Sequence, residues 1–265
     1  MNIGMITCNY YMLIYNYDRP AQFNWGEMTD KYRGEFKKSD FLKLAGEIRG
    51  MNYDCIEIWE PTFSHKVYSP DDAGLLAKEL AEIGYKGVVY CIGGWSAGDV
   101  NEIEKAYLFA RALGASVVTG CVNKADAGVL LPEMEEQGKK YNIRFAIENH
   151  PAPNFEKPED IAEAVKDYTM VGANLDTGIY NMQGYDVLAA ADLLKDKIYH
   201  CHFKDTVKGR EGCLPIGDGD APMAELLRKL IEWDYKNIVS VEFEYDRDPA
   251  PGLVKSMAFI KNVIG

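Results

Sequence analysis

The sequence has no C-x-x-C pair, no G-x-G-x-x-G turn, no Lys/Arg cluster and only four histidines among its 265 residues. Each absence closes a class. Six singly scattered cysteines (Cys8, Cys55, Cys91, Cys121, Cys201, Cys213) offer neither a zinc framework nor a disulfide pattern, so buried reduced thiols are expected. Without the glycine fingerprint after the first strand, a dinucleotide-binding open sheet is disfavoured. The balance of 29 Lys+Arg against 41 Asp+Glu gives a net charge of -12, which argues against nucleic acid or an anionic membrane as partner. No run reaches the roughly 18 apolar residues of a membrane span, and the start MNIGMITCNYY lacks a signal peptide's positive flank, so a cytoplasmic chain is expected.

What the chain does contain is a repeat. Short β-branched runs at 2–8, 55–60, 87–92, 116–122, 144–149, 171–176, 198–204 and 238–243 read as eight strands, and helix-period stretches follow them. Capping residues at Ser39-Asp40, Ser69-Pro70, Asp99, Lys157-Pro158 and Asp220 mark helix starts. From the second strand to the seventh, the starts recur about every 27 to 32 residues. Eight such units and no linker predict an α/β fold, a single (β/α)8 barrel spanning 1–265. Two connections are long: 9–38, rich in aromatics, and 205–219, which holds Gly217-Asp218-Gly219. Both leave the carboxyl ends of strands, so both are expected to cover the pocket. The aromatic segment alone is equally well read as a surface or homo-oligomer contact.

Ionisable residues interrupt apolar strands near their ends. Glu148 ends Phe145-Ala146-Ile147-Glu148, Asp176 ends Ala173-Asn174-Leu175-Asp176, and Glu242 follows Val239-Ser240-Val241. The run Tyr199-His200-Cys201-His202-Phe203-Lys204 sets His200, His202 and Lys204 on one face. In a parallel barrel these ends converge on one mouth. Each residue alone is accounted for by a hydrogen bond or a helix cap. Three carboxylates and an imidazole at equivalent positions repel unless a divalent cation joins them. The oxygen-rich set suits Mn2+, Mg2+ or Co2+ better than structural zinc.

These residues carry a family resemblance. Asp54-Cys55-Ile56-Glu57-Ile58-Trp59, Ile147-Glu148-Asn149-His150, Asn174-Leu175-Asp176-Thr177-Gly178, His200-Cys201-His202-Phe203-Lys204-Asp205, Leu214-Pro215-Ile216-Gly217-Asp218-Gly219 and Val241-Glu242 occur in order over almost the whole chain. The series resembles the sugar phosphate isomerase/epimerase branch of the xylose isomerase-like barrel superfamily. The resemblance implies Glu148, Asp176, His202 and Glu242 as ligands of one divalent ion, Mn2+ first, with Mg2+, Co2+ or Zn2+ as alternatives. It also implies Glu148 and Glu242 as acid and base, acting through an enediolate of a sugar, keto-polyol or related hydroxy-carbonyl substrate. Two positions depart from the family pattern. Ile179 stands where many members have a substrate-contacting histidine, and Asn154 where ketose epimerases place a second glutamate.

His150 is a further acid/base candidate, its alternative being a loop histidine fixed by Pro151. Lys204 and Arg210 are candidates for a phosphate or sugar oxyanion, Lys204 ahead because its strand position aims it inward, and Arg210 reads first as a solvated loop charge. Glu57 is read as a substrate contact or an internal hydrogen-bonding group, His65 as a substrate contact or an exposed loop residue, and Trp59, Trp95 and Trp25 as sugar-stacking or core aromatics. The same chemistry admits a lyase reading, by dehydration or by cleavage of a keto-glycoside. A non-catalytic carbohydrate-binding subunit is the reading from another class. The apurinic endonucleases of this superfamily need more histidines than the chain holds.

Overall fold

Strand-helix alternation closes on itself in the computed structural model, which describes all residues Met1–Gly265. The strands are β1 (Asn2–Ile6), β2 (Cys55–Trp59), β3 (Gly87–Trp95), β4 (Ala115–Val122), β5 (Arg144–Glu148), β6 (Val171–Asp176), β7 (Ile198–Phe203) and β8 (Ile238–Val241). Neighbours pair in parallel in sequence order, and β8 pairs with β1, giving a closed barrel. The helices are α1 (Trp25–Glu35), α2 (Lys38–Gly50), α3 (Pro70–Ile83), α4 (Val100–Ala112), α5 (Ala127–Tyr141), α6 (Pro158–Val165), α7 (Thr177–Gln183), α8 (Val187–Leu194), α9 (Met223–Glu232) and α10 (Ala250–Ile264).

Local chemistry sets the helix ends. Ser69 caps α3 by accepting the Asp72 N–H while the Asp72 carboxylate accepts that of Ser69, Pro70 opens the first turn, and Gly84 closes it at φ +102°. Elsewhere the expected caps shift. Helix α2 starts at Lys38, with Asp40 accepting the Lys37 N–H instead of capping from outside. Asp220 opens no helix, because its carboxylate accepts Asn181 Nδ2 and the Lys208 N–H, and α9 begins three residues later.

Most of the core lies between barrel and helices. Inside the barrel only a small apolar plug remains: Cys55, Val89, Val117, Ala146, Tyr199 and Ile238. Two residues further along three of these strands the interior turns polar at Glu57, Thr119 and Ser240, and on β7 at His200, directly after Tyr199, all four buried. The barrel is therefore closed at its floor and increasingly ionisable toward its mouth.

Of the two long connections, 9–38 reaches the main cavity through Trp25 and Thr29 as expected, and 205–219 does not. Segment 9–38 holds α1, started by the Asn24 side chain accepting the Glu27 N–H, and Tyr10, Tyr11, Tyr32 and Phe36 of its aromatics are buried while Trp25 is exposed. Segment 205–219 folds back on its own base: Asp205 accepts the N–H groups of Gly217 and Gly219, and the Ile216 N–H reaches Ser256. No residue of that segment lines the main cavity.

Candidate active site

The mouth is assembled from four strand ends. Glu148 and Asp176 are the last residues of β5 and β6, His202 is next to last in β7, and Glu242 directly follows β8. One donor atom from each lies within 4.8 Å of all the others. The His202 imidazole touches carboxylates on both edges. Its Nδ1 is 3.2 Å from Glu148 Oε1 and 3.0 Å from Glu242 Oε2, and its Nε2 is 3.1 Å from both oxygens of Glu57. Beneath it, His200 Nε2 lies 2.8 Å from Glu57, which also accepts the Thr119 hydroxyl.

Lys204, one residue past β7, sets its ammonium 3.0 Å from Glu242, 3.1 Å from Glu244 and 3.5 Å from Asp176. It reaches there because residue 178 is glycine. A Cβ at Gly178 would fall 2.3 Å from Lys204 Cγ.

Backbone clips hold the strand ends in register. Asn9 donates to the Val241 carbonyl and accepts the Phe243 N–H, fixing the segment that carries Glu242. Asn149 does the same across β5 and β6, donating to the Asp176 carbonyl and accepting its N–H. The Thr177 hydroxyl accepts the Lys204 N–H and donates to the Lys204 carbonyl. Thr7 accepts the Trp59 N–H. All four residues are buried. Sequence reasoning did not single them out; the one signal available was a polar residue directly following an apolar strand.

The electrostatics expose an imbalance. Burial, reinforced by Glu242 and Glu148 against the pull of Lys204, raises the Asp176 carboxyl to about 7. Burial also disfavours ionised Glu242, yet Lys204 and His202 outweigh it and hold that carboxyl at about 2. Burial disfavours the imidazolium of His202, but the surrounding carboxylates push its pKa well above the ordinary histidine range. Burial likewise opposes a charged Glu57, whose carboxyl the two imidazoles hold well below the usual range. Two buried oxygens, Asp176 Oδ2 and Glu242 Oε2, make no aligned hydrogen bond: Oδ2 has only the Lys204 ammonium at 3.5 Å and Oε2 only the edge of His202 at 3.0 Å. Oxygens of this kind carry a desolvation cost that a cation removes. A hard divalent ion therefore fits the donor set: three carboxylates and one imidazole, with Asp176 Oδ1 already committed to the Ile179 N–H at 2.8 Å and Oδ2 free of hydrogen bonds.

Above the cluster opens a cavity of about 580 Å³. Glu148, His202, Lys204 and Glu242 line it together with His150, Trp59, Trp25, Asn154 and Ile179. His150 is half-buried at its wall. Cys8, Cys91 and Cys121 also line it, a position their spacing did not signal; the Cys121 thiol lies 3.4 Å from Glu148 Oε2, and all six cysteines are free. Three expected substrate contacts fall elsewhere. Glu57 is fully buried under His202 and lines no part of the cavity, because its two oxygens are taken by the histidines. Arg210 is exposed beyond the folded-back base of segment 205–219, where its N–H closes a turn onto Val207. His65 lines a smaller neighbouring cavity, as does Trp95, and its Nδ1 lies 3.0 Å from the Tyr90 hydroxyl. Burial there lowers the His65 pKa.

Known proteins repeat this architecture. A chain fold named L-ribulose 3-epimerase superposes with a TM-score of 0.77 over 99% of this chain and 94% of its own, at 17% identity. Inosose dehydratase of Lactiplantibacillus plantarum is 28% identical over 134 residues, 43% of this chain and 45% of that protein. An uncharacterized protein of Methanocaldococcus jannaschii is 31% identical over 143 residues, 51% of this chain and 47% of that one. The chain thus spans about half the length of these curated relatives. The family described as xylose isomerase-like TIM barrel matches residues 46–263, and with the closed eight-stranded barrel this makes the chain a member of that family.

Proposed function

We propose that the chain is a divalent-metal-dependent isomerase or epimerase of a sugar, keto-polyol or related hydroxy-carbonyl compound. One observation carries this reading: the buried convergence, within 4.8 Å, of donor atoms from three carboxylates and one imidazole, among them Asp176 and Glu242 oxygens that make no aligned hydrogen bond. Glu148, Asp176, His202 and Glu242 would hold the ion, which we assign as Mn2+ from the oxygen-rich donor set. When bound, it supplies Lewis-acid polarisation of a carbonyl and the neighbouring hydroxyl, which acidifies the intervening C–H.

The protein's own groups then move the proton. Glu148 and Glu242 come from different strands and both line the cavity, so one removes the proton and the other returns it. The Lys204 ammonium, 3.0 Å from Glu242, keeps that carboxylate ionised and offers a donor to an oxyanion developing on the substrate. His150, half-buried on the same wall, is a further proton carrier within the cavity. Glu57 does not touch substrate. It accepts from His202 Nε2 and so fixes the tautomer in which Nδ1 faces the other ligands.

A second reading has its own support. Apolar Ile179 lines the cavity where the family resemblance places a histidine, and one relative is a dehydratase, so in this reading the enediolate expels a β-substituent instead of being reprotonated. Incubating Mn2+-loaded protein with D-tagatose, D-psicose and an inosose in deuterated buffer separates the two by NMR. Epimerisation incorporates deuterium at the inverted carbon, whereas dehydration yields an unsaturated product. A chain that binds none of Mn2+, Mg2+, Co2+ or Zn2+ and exchanges no C–H proton would be a non-catalytic subunit, and the proposal would fall.

A further inference from the structure

A smaller cavity of about 220 Å³ adjoins the main one, and the two share Thr29, Trp59, Gly93 and Gly94 in their walls. The shared ridge is bare backbone. Strand β3 slips register between Cys91 and Gly94, Gly93 takes φ +83°, and a Cβ built on either glycine would meet no atom within 4 Å. Glycines at such a bulge let another molecule approach the main chain closely. Beyond the ridge stand the buried indoles of Trp59 and Trp95. Trp95 lies against Gly120, where a Cβ would sit 2.7 Å from the Gly93 carbonyl oxygen and 3.4 Å from the indole nitrogen. Two buried nitrogens of the lining residues, Trp95 Nε1 and His65 Nε2, have no hydrogen-bond partner.

The charges around this smaller cavity are already matched. Arg33 pairs with Glu60 at 2.6 Å and Asp30 at 2.9 Å, Glu102 pairs with Lys105 at 2.8 Å, and Asp99 accepts from Ser96 at 2.8 Å. Lys66 and Asp99 make no ion pair, and of these two only the Lys66 ammonium is without a side-chain hydrogen bond. A phosphate is recognised by convergent, uncommitted Arg and Lys groups, which are lacking here. Flat indoles and unpaired neutral nitrogens suit an uncharged ring bearing hydroxyls.

We propose that the substrate has two rings. The ring that reacts at the charged cluster is joined, through a linkage crossing Gly93-Gly94, to a second uncharged hydroxylated ring seated on Trp59 and Trp95. This makes a glycosidically linked sugar, not a free or phosphorylated monosaccharide, the substrate class. The inference rests on the sugar reading of the site, and the following experiment separates the two.

Mn2+-loaded protein is titrated, with tryptophan fluorescence as readout, with maltose, cellobiose, lactose, trehalose, gentiobiose and sucrose, and with glucose, galactose and fructose. At least one disaccharide is expected to bind about tenfold or more tightly than either of its constituent sugars. Gly94→Leu blocks the ridge without backbone strain, since Gly94 is outside the left-handed region and a Cβ there meets open space. It should bring disaccharide affinity down to that of the constituent sugars while leaving Mn2+ affinity and melting temperature unchanged. His65 lies outside the main cavity, so His65→Ala should reduce the disaccharide advantage with monosaccharide binding kept. Disaccharides that bind no better than their parts, or an advantage that survives Gly94→Leu, would overturn the second subsite and leave the sugar reading standing. Silence toward every sugar by a protein that binds Mn2+ would overturn both.

Discussion

Carboxylates are buried at both ends of this barrel, and in opposite ways. Near the floor, Glu135 of α5 accepts the N–H groups of Thr169 and Met170 and the Thr169 hydroxyl, and pairs with Lys139 at 2.9 Å. Although burial works against its charge, these partners bring its pKa down to about 2. At the mouth, Asp176 and Glu242 each keep one buried oxygen that makes no aligned hydrogen bond, and Asp176 rises to about 7. A satisfied carboxylate staples α5 to the start of β6. An unsatisfied one costs stability that only a ligand recovers. Barrel folds separate these tasks by end, with stability at the bottom and chemistry at the top.

The contrast breaks most sharply on turnover. Glu148→Gln and Glu242→Gln should each lower the rate by about 10²- to 10⁴-fold, the usual worth of a positioned acid or base. Glu148→Gln should keep its melting temperature, whereas Glu242→Gln should lower it, because the Lys204 ammonium and His202 lose a buried charged partner. Steady-state rates measured beside melting curves check both halves. Saturating Mn2+ at 100 times its Kd should stabilise the protein by about 2.7 kcal/mol, or roughly 5 to 10 °C. EDTA or Asp176→Asn should remove that shift, while Glu135→Gln should keep it.

Glu57 lies between the two ends, and Glu57→Gln sharpens the comparison. It should weaken Mn2+ binding by about 10- to 100-fold in a direct metal titration, with weak-binding Mg2+ affected in parallel. The smallest effect belongs to the floor. Glu135→Gln should cost about 1 to 3 kcal/mol in urea unfolding and leave turnover unchanged. Its pH signature follows from the sign of the shift. The folded pKa is depressed below the unfolded value near 4.5, so the contribution is complete above about 4.5 and fades as pH falls toward about 2. Unfolding curves for the variant should lack that acid-side loss.

The chemistry was more legible in the sequence than the recognition surface. Glu148, Asp176, His202 and Glu242 stood out because the period of two and an apolar background make a charge at a strand end conspicuous. Their convergence within 4.8 Å follows from parallel strands sharing one mouth. Gly93 and Gly94 carry no such signal, since a bulge depends on pairing with β4 rather than on composition. Helix α1 was hidden by an aromatic-rich stretch whose apolar residues follow no clean helical period. Arg210 misled because loop 205–219 is shaped by Asp205, through hydrogen bonds to Gly217 and Gly219 that local patterning does not encode.

Asp176 holds two posts at once, since one oxygen caps α7 through the Ile179 N–H and the other faces the cluster. The side chain's rotamer is therefore chosen by the folding of α7, before any ion arrives. Glutamate would offer the same charge and the same oxygens, but its extra methylene cannot keep both posts from one backbone position. The site thus tolerates substitution by shape even less than by charge, and the length of a single side chain becomes a condition of its selectivity.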